Sequence, residues 1–310
     1  MINGVINVYK ERGYTSHDVV ARLRGILKQK KIGHTGTLDP EAVGVLPVCL
    51  GRATKLCELL TDKKKTYEAV LHLGIVTDTQ DLTGEILEEH PVQVSEDAVR
   101  ACIMGFVGER EQIPPMYSAL KVNGRKLYEL AREGKTVERK PRAVTFYEIE
   151  IHEISLPKVR FSVTCSKGTY IRTLCHDIGA ALGCGGCMES LIRTRVERFA
   201  VEESLTLEQI EKAAKEQTLM EHIVSIEEMF SSLRKISMSE QMDLLLHNGN
   251  AVPSETVSVE NLEDHTKVRM YDSQNRFIGI YEYEKRRQRF RLHTMFCVPE
   301  DFREHKKEAL

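Results

Sequence analysis

At 310 residues, with 41 % hydrophobic and 29 % charged positions, the chain is long enough to bury a large core and to hold two domains. No apolar run approaches the ~20 residues of a membrane helix, and no charged N-terminal region leads into an apolar stretch, so neither a membrane span nor a signal peptide is expected. A net charge of −2 argues against a uniformly basic nucleic-acid binder, and eight scattered cysteines without an export signal predict reduced thiols in a cytoplasmic protein.

Taken in chain order, residues 15–31 read as a helix. Ser16 is its predicted N-cap; Val19, Val20, Leu23, Ile26 and Leu27 form its core stripe, and Gly33 ends it. A Gly-rich loop follows. Residues 67–76 alternate like a strand and run into a polar, turn-rich loop at 77–84. A helix is predicted over 95–107, a break at Pro114-Pro115, a short helix over 126–132, and strongly alternating strands over 143–154 and 159–165. Gly168 leads into a strand end and then a helix through 170–179, and 206–216 and 221–230 read as acidic helices. From about 235 the pattern changes to short strands at 267–271, 277–283 and 289–296, which fits a small β-rich second domain.

Charge is unevenly spread along these elements. Residues 10–65 hold twelve Lys/Arg against six Asp/Glu, and 121–142 hold eight against three. Residues 78–111 carry nine acids to two bases, and 201–230 carry eight to two. The basic segments are either a phosphate-tracking face or solvated helix surface.

The most informative stretch is Gly33-His34-Thr35-Gly36-Thr37-Leu38-Asp39-Pro40. Glycine lets a backbone pass close to a ligand and adopt φ > 0, and Pro40 biases Asp39 away from helix. Asp39 is therefore either a carboxylate on a stiff loop facing a ligand or a solvated residue in a tight turn. Cys184-Gly185-Gly186-Cys187 is a CxxC without a second ligand pair nearby, so it reads as incidental thiols, neither a zinc site nor a redox motif. His34 has no His or Cys partner at metal-like spacing.

Residues 33–40, continuing through Glu41-Ala42-Val43-Gly44-Val45-Leu46-Pro47 and Gly51-Arg52-Ala53-Thr54-Lys55, resemble the catalytic-loop signature of the bacterial TruB family, tRNA pseudouridine synthases acting on the T-loop uridine (tRNA position 55). Lys65-Thr66-Tyr67-Glu68-Ala69, Ser166-Lys167-Gly168-Thr169-Tyr170-Ile171-Arg172, Ser190-Leu191-Ile192-Arg193-Thr194 and the segment 113–124 match further signatures of that family. The resemblance covers about residues 3–230. It implies an α+β fold with a mixed or antiparallel sheet as catalytic domain, 1–232, and a PUA-like RNA-binding domain, 233–310, with Lys285-Arg286-Arg287-Gln288-Arg289 as its basic contribution. It implies Asp39 as the catalytic carboxylate, Tyr67 as the base-stacking aromatic and a shuttle for the C5 proton, and Arg172 as the partner of Asp39. A bidentate guanidinium would lower the carboxylate's pKa and fix its rotamer. Tyr170 and Leu191 would wall the uracil site, His34 would wedge the flipped nucleotide, Lys10 and Lys55 would touch the RNA backbone, and the basic 121–142 would grip RNA. Where the family has proline and histidine, this chain has Glu11 and Cys187. The implied reaction needs no cofactor and no metal, and the implied partner is the tRNA T-stem-loop, bound by a monomer. The alternative is a non-catalytic tRNA-binding or tRNA-folding protein of the same fold.

Overall fold

The structure is a computed structural model describing residues 1–255 and 262–297. The chain opens with strand β1 (Gly4–Lys10), helix α1 (Ser16–Leu27), β2 (Ile32–His34), β3 (Val43–Leu50) and a short α2 (Cys57–Thr61). It continues with β4 (Lys65–Leu73), the hairpin β5 (Ile75–Thr77) and β6 (Ile86–Glu89), α3 (Glu96–Met104) and β7 (Gly108–Gln112). A small excursion follows, with β8 (Lys121–Val122), β9 (Arg125–Lys126) and α4 (Leu127–Arg132). The long strands β10 (Arg142–Ser155) and β11 (Lys158–Cys165), helix α5 (Ile171–Ala181), β12 (Gly186–Val196), β13 (Phe199–Ala200), α6 (Leu207–Lys215) and β14 (Ile223–Val224) complete the first part.

Ten of these strands form one sheet with the order β14-β1-β3-β12-β4-β11-β10-β7, β2 lying on β3 and β13 on β12. All pairs are antiparallel except β3 with β12, which run parallel over two residue pairs, Val43 with Ile192 and Gly44 with Arg193. The α+β reading with a mixed sheet therefore stands. Helices α3 and α5 cover the half of the sheet built from β4, β10 and β11, where Val99, Ile103, Leu174 and Ile178 pack with Leu71, Phe146 and Phe161. Helices α1 and α6 cover the other half, where Val19, Leu23 and Ile210 meet Ile6, Leu46 and Val48.

A second, five-stranded sheet has the order β15 (Arg234–Ser237), β17 (Lys267–Tyr271), β18 (Phe277–Glu284), β19 (Arg289–Met295) and β16 (Val252–Pro253), with α7 (Glu240–His247) beside it. It docks through Ile280 and Phe296 on the far side of β1 and β3, against Val5, Val45, Cys49 and Leu56. The tail of the predicted second domain, from 298, lies outside the described residues. No helix among the described residues is long and apolar enough to cross a membrane.

Three local expectations are corrected. The N-cap of α1 is Thr15, in a reciprocal capping box with Asp18, not Ser16, and the helix ends at a left-handed Lys28, well before Gly33. Residues 221–230 do not form a helix; a 3₁₀ turn at Leu219–His222, the edge strand β14 and a second 3₁₀ turn at Glu228–Phe230 take its place, because β1 recruits Ile223 and Val224 into the sheet. The strand predicted over 67–76 starts at Lys65 and breaks after Leu73 at Gly74, whose φ is +90°.

Gly44 shows why the parallel seam is narrow: a Cβ there would sit 2.3 Å from the Arg193 carbonyl oxygen, and its φ is +104°. We expect Gly44→Ala to destabilise the protein by about 3 kcal/mol or more. Gly25→Ala, in open space on helix α1, should instead stabilise by roughly 0.5–1 kcal/mol. Denaturant unfolding of the two variants side by side checks both signs.

Candidate active site

The loop from Thr35 to Ala42 crosses from β2 to β3 at the seam, and its backbone is tied from several sides. The Leu38 amide donates to the Ser16 hydroxyl at 2.9 Å, so the one-residue shift of the helix cap frees Ser16 to hold this loop. Thr61 Oγ1 donates to the Thr35 carbonyl at 3.1 Å, and the Gly13 amide to the Pro40 carbonyl at 2.9 Å. Leu38 and Ala42 point into the core beside Tyr67 and Leu191. Asp39, between them, is left at the surface with its side chain 43 % exposed.

Arg172, on the first turn of α5, reaches Asp39 with its Nε 3.1 Å from Oδ2. Its side chain is only 6 % exposed, and both of its other nitrogens donate as well. Nη1 donates to the Thr79 carbonyl at 3.0 Å and to Asp81 Oδ2 at 3.3 Å, and Nη2 to the Tyr117 carbonyl at 2.7 Å. The pairing with Asp39 is thus single-edged, not bidentate, because the guanidinium is shared with Asp81. Asp81 is in turn held by Thr79 Oγ1 at 2.8 Å and the Thr83 amide at 3.0 Å, both on Oδ1.

This arrangement corrects the expected charge state. Burial pushes the Asp39 carboxyl above its ordinary value of 3.8; Arg172 and Lys10 pull it down, and the Asp81 charge pushes it further up. Water at its open face limits that rise.

Tyr67 and Leu191 come together as expected. Across β4 and β12, Tyr67 faces Arg193 and Ala69 faces Leu191, so on the alternating strands all four project to one side. Burial raises the Tyr67 phenol to about 12, opposed by the adjacent Arg193. It is a neutral hydrogen-bond donor near pH 7 rather than a free base. Tyr170 caps α5, its amide and carbonyl clasped by the Gln112 side chain at 3.0 and 3.1 Å. His34 lies edge-on to His17 at 5.1 Å, its Nδ1 accepting from the Gly36 amide at 3.3 Å, with burial lowering its pKa.

Of the two lysines expected on the RNA backbone, one departs from its place. Lys10 is fully buried, and its Nζ donates to the carbonyls of Glu11, Tyr14 and Pro40 at 3.1, 2.7 and 3.0 Å. It holds the turn beneath Asp39 and cannot touch an RNA backbone from there; desolvation pulls it down to about 8. Lys55 is exposed, with Nζ donating to the Met295 carbonyl in the second sheet. The basic residues of 121–142 are mostly exposed, around Arg125 and Lys135 paired with Glu133. In the second sheet, Arg287, Arg289 and Arg291 gather on Glu284, leaving Lys285 and Arg286 as the exposed basic tip.

Asp81 and Arg193 were not singled out by sequence reasoning. Thr79-Gln80-Asp81-Leu82-Thr83 carries the signal for the first, a carboxylate flanked at two residues on each side by threonines that can hold it. The CxxC thiols are buried and free. Among the described residues, Asp243, His247 and Asp272 have metal-like proximity, but Asp272 already takes Arg276 at 2.7 Å and His247 at 3.0 Å.

Residues 24–171 match the model for the TruB family pseudouridylate synthase N-terminal domain, and 172–231 that for the tRNA pseudouridylate synthase B C-terminal domain. The chain belongs to the TruB family. Among relatives of this TruB chain, a tRNA pseudouridine synthase B of Lachnoclostridium phytofermentans is 53 % identical over 95 % of this chain and 100 % of its own length. One of Alkaliphilus oremlandii is 50 % identical over 82 % and 84 %. Among solved structures, an H/ACA RNP bound to a substrate RNA containing 2′-deoxyuridine aligns with a TM-score of 0.72 at 26 % identity, covering 96 % of this chain and 86 % of that one. A Cbf5-Nop10-Gar1 complex aligns at 0.71 and 29 %, with the same coverage. The TruB family is one of isomerases, so the chain is an enzyme of pseudouridine formation.

Two outcomes follow from the site. Asp81→Asn removes the charge that pushes Asp39 up, so the acid limb of the single-turnover rate should move to lower pH; an unmoved limb would show that Asp81 does not act on Asp39. Lys10→Met should cut turnover by roughly tenfold or more by loosening the Asp39 turn, with RNA affinity nearly unchanged, as filter binding would show.

Proposed function

We propose that this chain converts the T-loop uridine of tRNA, position 55, to pseudouridine, with Asp39 as the catalytic carboxylate. The observation that carries the reading is the Asp39–Arg172 ion pair at 3.1 Å on a loop whose Leu38 and Ala42 pack with Tyr67 and Leu191. A base flipped out of a folded RNA needs an aromatic platform and a dry wall, and a C1′ centre needs an oriented carboxylate. A protein that only bound RNA would gain nothing from a carboxylate facing phosphates.

In this reading the N1–C1′ bond of the uridine breaks, the uracil turns within the pocket, and it rejoins through C5. Asp39 either attacks C1′ or abstracts a ribose proton. Arg172 favours its ionised form against the cost of burial and fixes its direction. Tyr67 stacks on the base; as a phenol it can pass the C5 proton only by relay, giving its own proton as it receives one. Tyr170 and Leu191 keep the uracil from escaping, and His34 fills the place the nucleotide vacates. Nothing is oxidised and no water is consumed, so no cofactor or metal is required.

The T-stem-loop of a single tRNA on a monomer is the proposed complex. Lys55, the exposed face of α1 and the basic 121–142 track its phosphates, and the part from 233 onward acts as a PUA-like second contact. With about six phosphate contacts, affinity should fall roughly 10³-fold between ~50 and ~200 mM salt.

Tritium release from a tRNA transcript labelled at uracil C5 tests the function. Release should require the uridine at position 55 and should vanish in Asp39→Asn, which keeps RNA affinity. Tight binding without release by the wild-type protein would sink the enzymatic reading.

A further inference from the structure

Beneath the site lie two cations that the reaction as described leaves unused. Arg193 is 1 % exposed and Lys65 is 7 % exposed, and neither forms an ion pair among the described residues. Lys65 Nζ donates to the carbonyls of Thr61 at 2.9 Å and Lys63 at 2.8 Å. Arg193 donates through Nε to the Val45 carbonyl at 2.7 Å and through Nη2 to the Gly36 carbonyl at 3.4 Å. Both press on the Gly36 turn: a Cβ there would lie 3.6 Å from Lys65 Cε and 3.8 Å from Arg193 Nη1, at a φ of +146°. Arg193 faces Tyr67 across the β4–β12 pair, and Lys65 lies two residues before Tyr67 on the same side of β4.

Burying a cation without an anion is costly. Arg193 adds to the cost for Lys65, which burial already pulls down to about 8. Carbonyl dipoles repay part of that cost and leave the full charge unneutralised. A site that tolerates this is built for negative charge that arrives or develops. A phosphate of the RNA backbone is not that charge, because both groups lie behind the loop and under the sheet-facing aromatic. The uracil ring on Tyr67 is the group above them.

We propose that Lys65 and Arg193 form a fixed cationic floor under Tyr67 and the Gly36 turn that stabilises the negative charge developing on uracil as its glycosidic bond breaks. The inference rests on the proposed reaction. When the bond breaks, its electron pair stays with N1 and spreads to O2 and O4. Asp39 meanwhile supplies a pair to C1′ or takes a ribose proton, and the charge disappears when C5 re-forms the bond. Lys65 and Arg193 touch neither the sugar nor the base, so they are positioning residues acting through their field.

The charged and titratable groups around Lys65 are Arg193 from β12, Cys165 from β11, Asp62 from the turn before β4 and Lys167 after β11. Cys165, pushed up to about 11, stays neutral through the working range. Lys10, also near 8, is the other group that loses charge there.

The test is single-turnover tritium release with RNA affinity measured in parallel, from about pH 6 to 9.5, for wild type, Lys65→Met, Lys65→Arg and Arg193→Lys. Lys65→Met should lower the rate constant at pH 7 roughly 10- to 100-fold while RNA affinity changes less than about threefold. The wild-type rate should fall as pH rises through about 8, and Lys65→Arg should restore most of the rate lost in Lys65→Met and carry that limb to higher pH. Arg193→Lys should reduce the rate and leave affinity intact. A wild-type rate in Lys65→Met, or losses that only track affinity, would overturn the proposal. If Lys65→Met does not fold, Lys65→Arg decides alone: a limb still near 8 assigns it to Lys10 and removes Lys65. A wild-type protein without turnover would remove the proposed function together with this inference; an active wild type with indifferent variants removes only the inference.

Discussion

Arg172 holds a full positive charge at 6 % exposure between two carboxylates, Asp39 and Asp81, while its remaining donors take the carbonyls of Thr79 and Tyr117. A buried guanidinium is tolerable only when its donors are satisfied. Three segments far apart in sequence must therefore meet at one side chain: the 35–42 loop, the 77–84 loop and the start of the excursion at 113–120. The helix that carries Arg172 is fixed in the core by Ile171, Leu174 and Ile178, and its start is clasped by Gln112. The loops are thus placed against the arginine, not the reverse. Burial pushes Asp39 up despite its partner, and the second carboxylate on the same guanidinium adds to that rise.

The turns on either side of Asp39 have the contrary imbalance. Lys10, Lys65 and Arg193 are buried with backbone carbonyls as their main partners. The chain around Asp39 consequently sets a pair of carboxylates against a group of buried cations. Such a field would be quenched if the groups could swing together. They cannot, since each long side chain ends in two or three carbonyl bonds from a different turn.

Much of this was legible in the sequence, for identifiable reasons. The octet around Asp39, the Tyr67 strand and the Lys-Gly-Thr-Tyr-Ile-Arg string are local patterns with strict spacing, and the side chains they name do converge. What was misread depended on geometry that spacing does not carry. Ser16 and Thr15 are equally good caps by type, and only the Asp18 reciprocal bond selects Thr15. Lys10 was placed on the RNA backbone by the family resemblance alone; its burial depends on three carbonyls, one of them thirty residues away. Asp81 sat in a loop that reads as a plain polar turn until Arg172 arrives from 91 residues further on. The acidic stretch at 221–230 had the composition of a helix, but edge pairing with β1 outweighed propensity.

The position of the site follows from the one parallel junction in an otherwise antiparallel sheet. Where β3 meets β12, pairing covers only two residues and the strands diverge, which opens a gap that the 35–42 loop can cross. Gly44 makes the approach possible, and three cores press on β3 around it: Leu46 and Val48 toward α1, Val45 and Cys49 toward the second sheet, and Ala42 toward Tyr67. Strand β3 is therefore packed on both of its faces. The excursion from 113 to 141 is the contrary case. Its ties to the body include Arg139 to the Pro114 carbonyl within its own base and Arg172 to the Tyr117 carbonyl, and its lysines and arginines are largely exposed. In the proposed complex, RNA on this surface would meet the Asp39 carboxylate and a basic segment joined to it. The tether at Tyr117 runs through Arg172 itself, so this segment and Asp39 share one guanidinium.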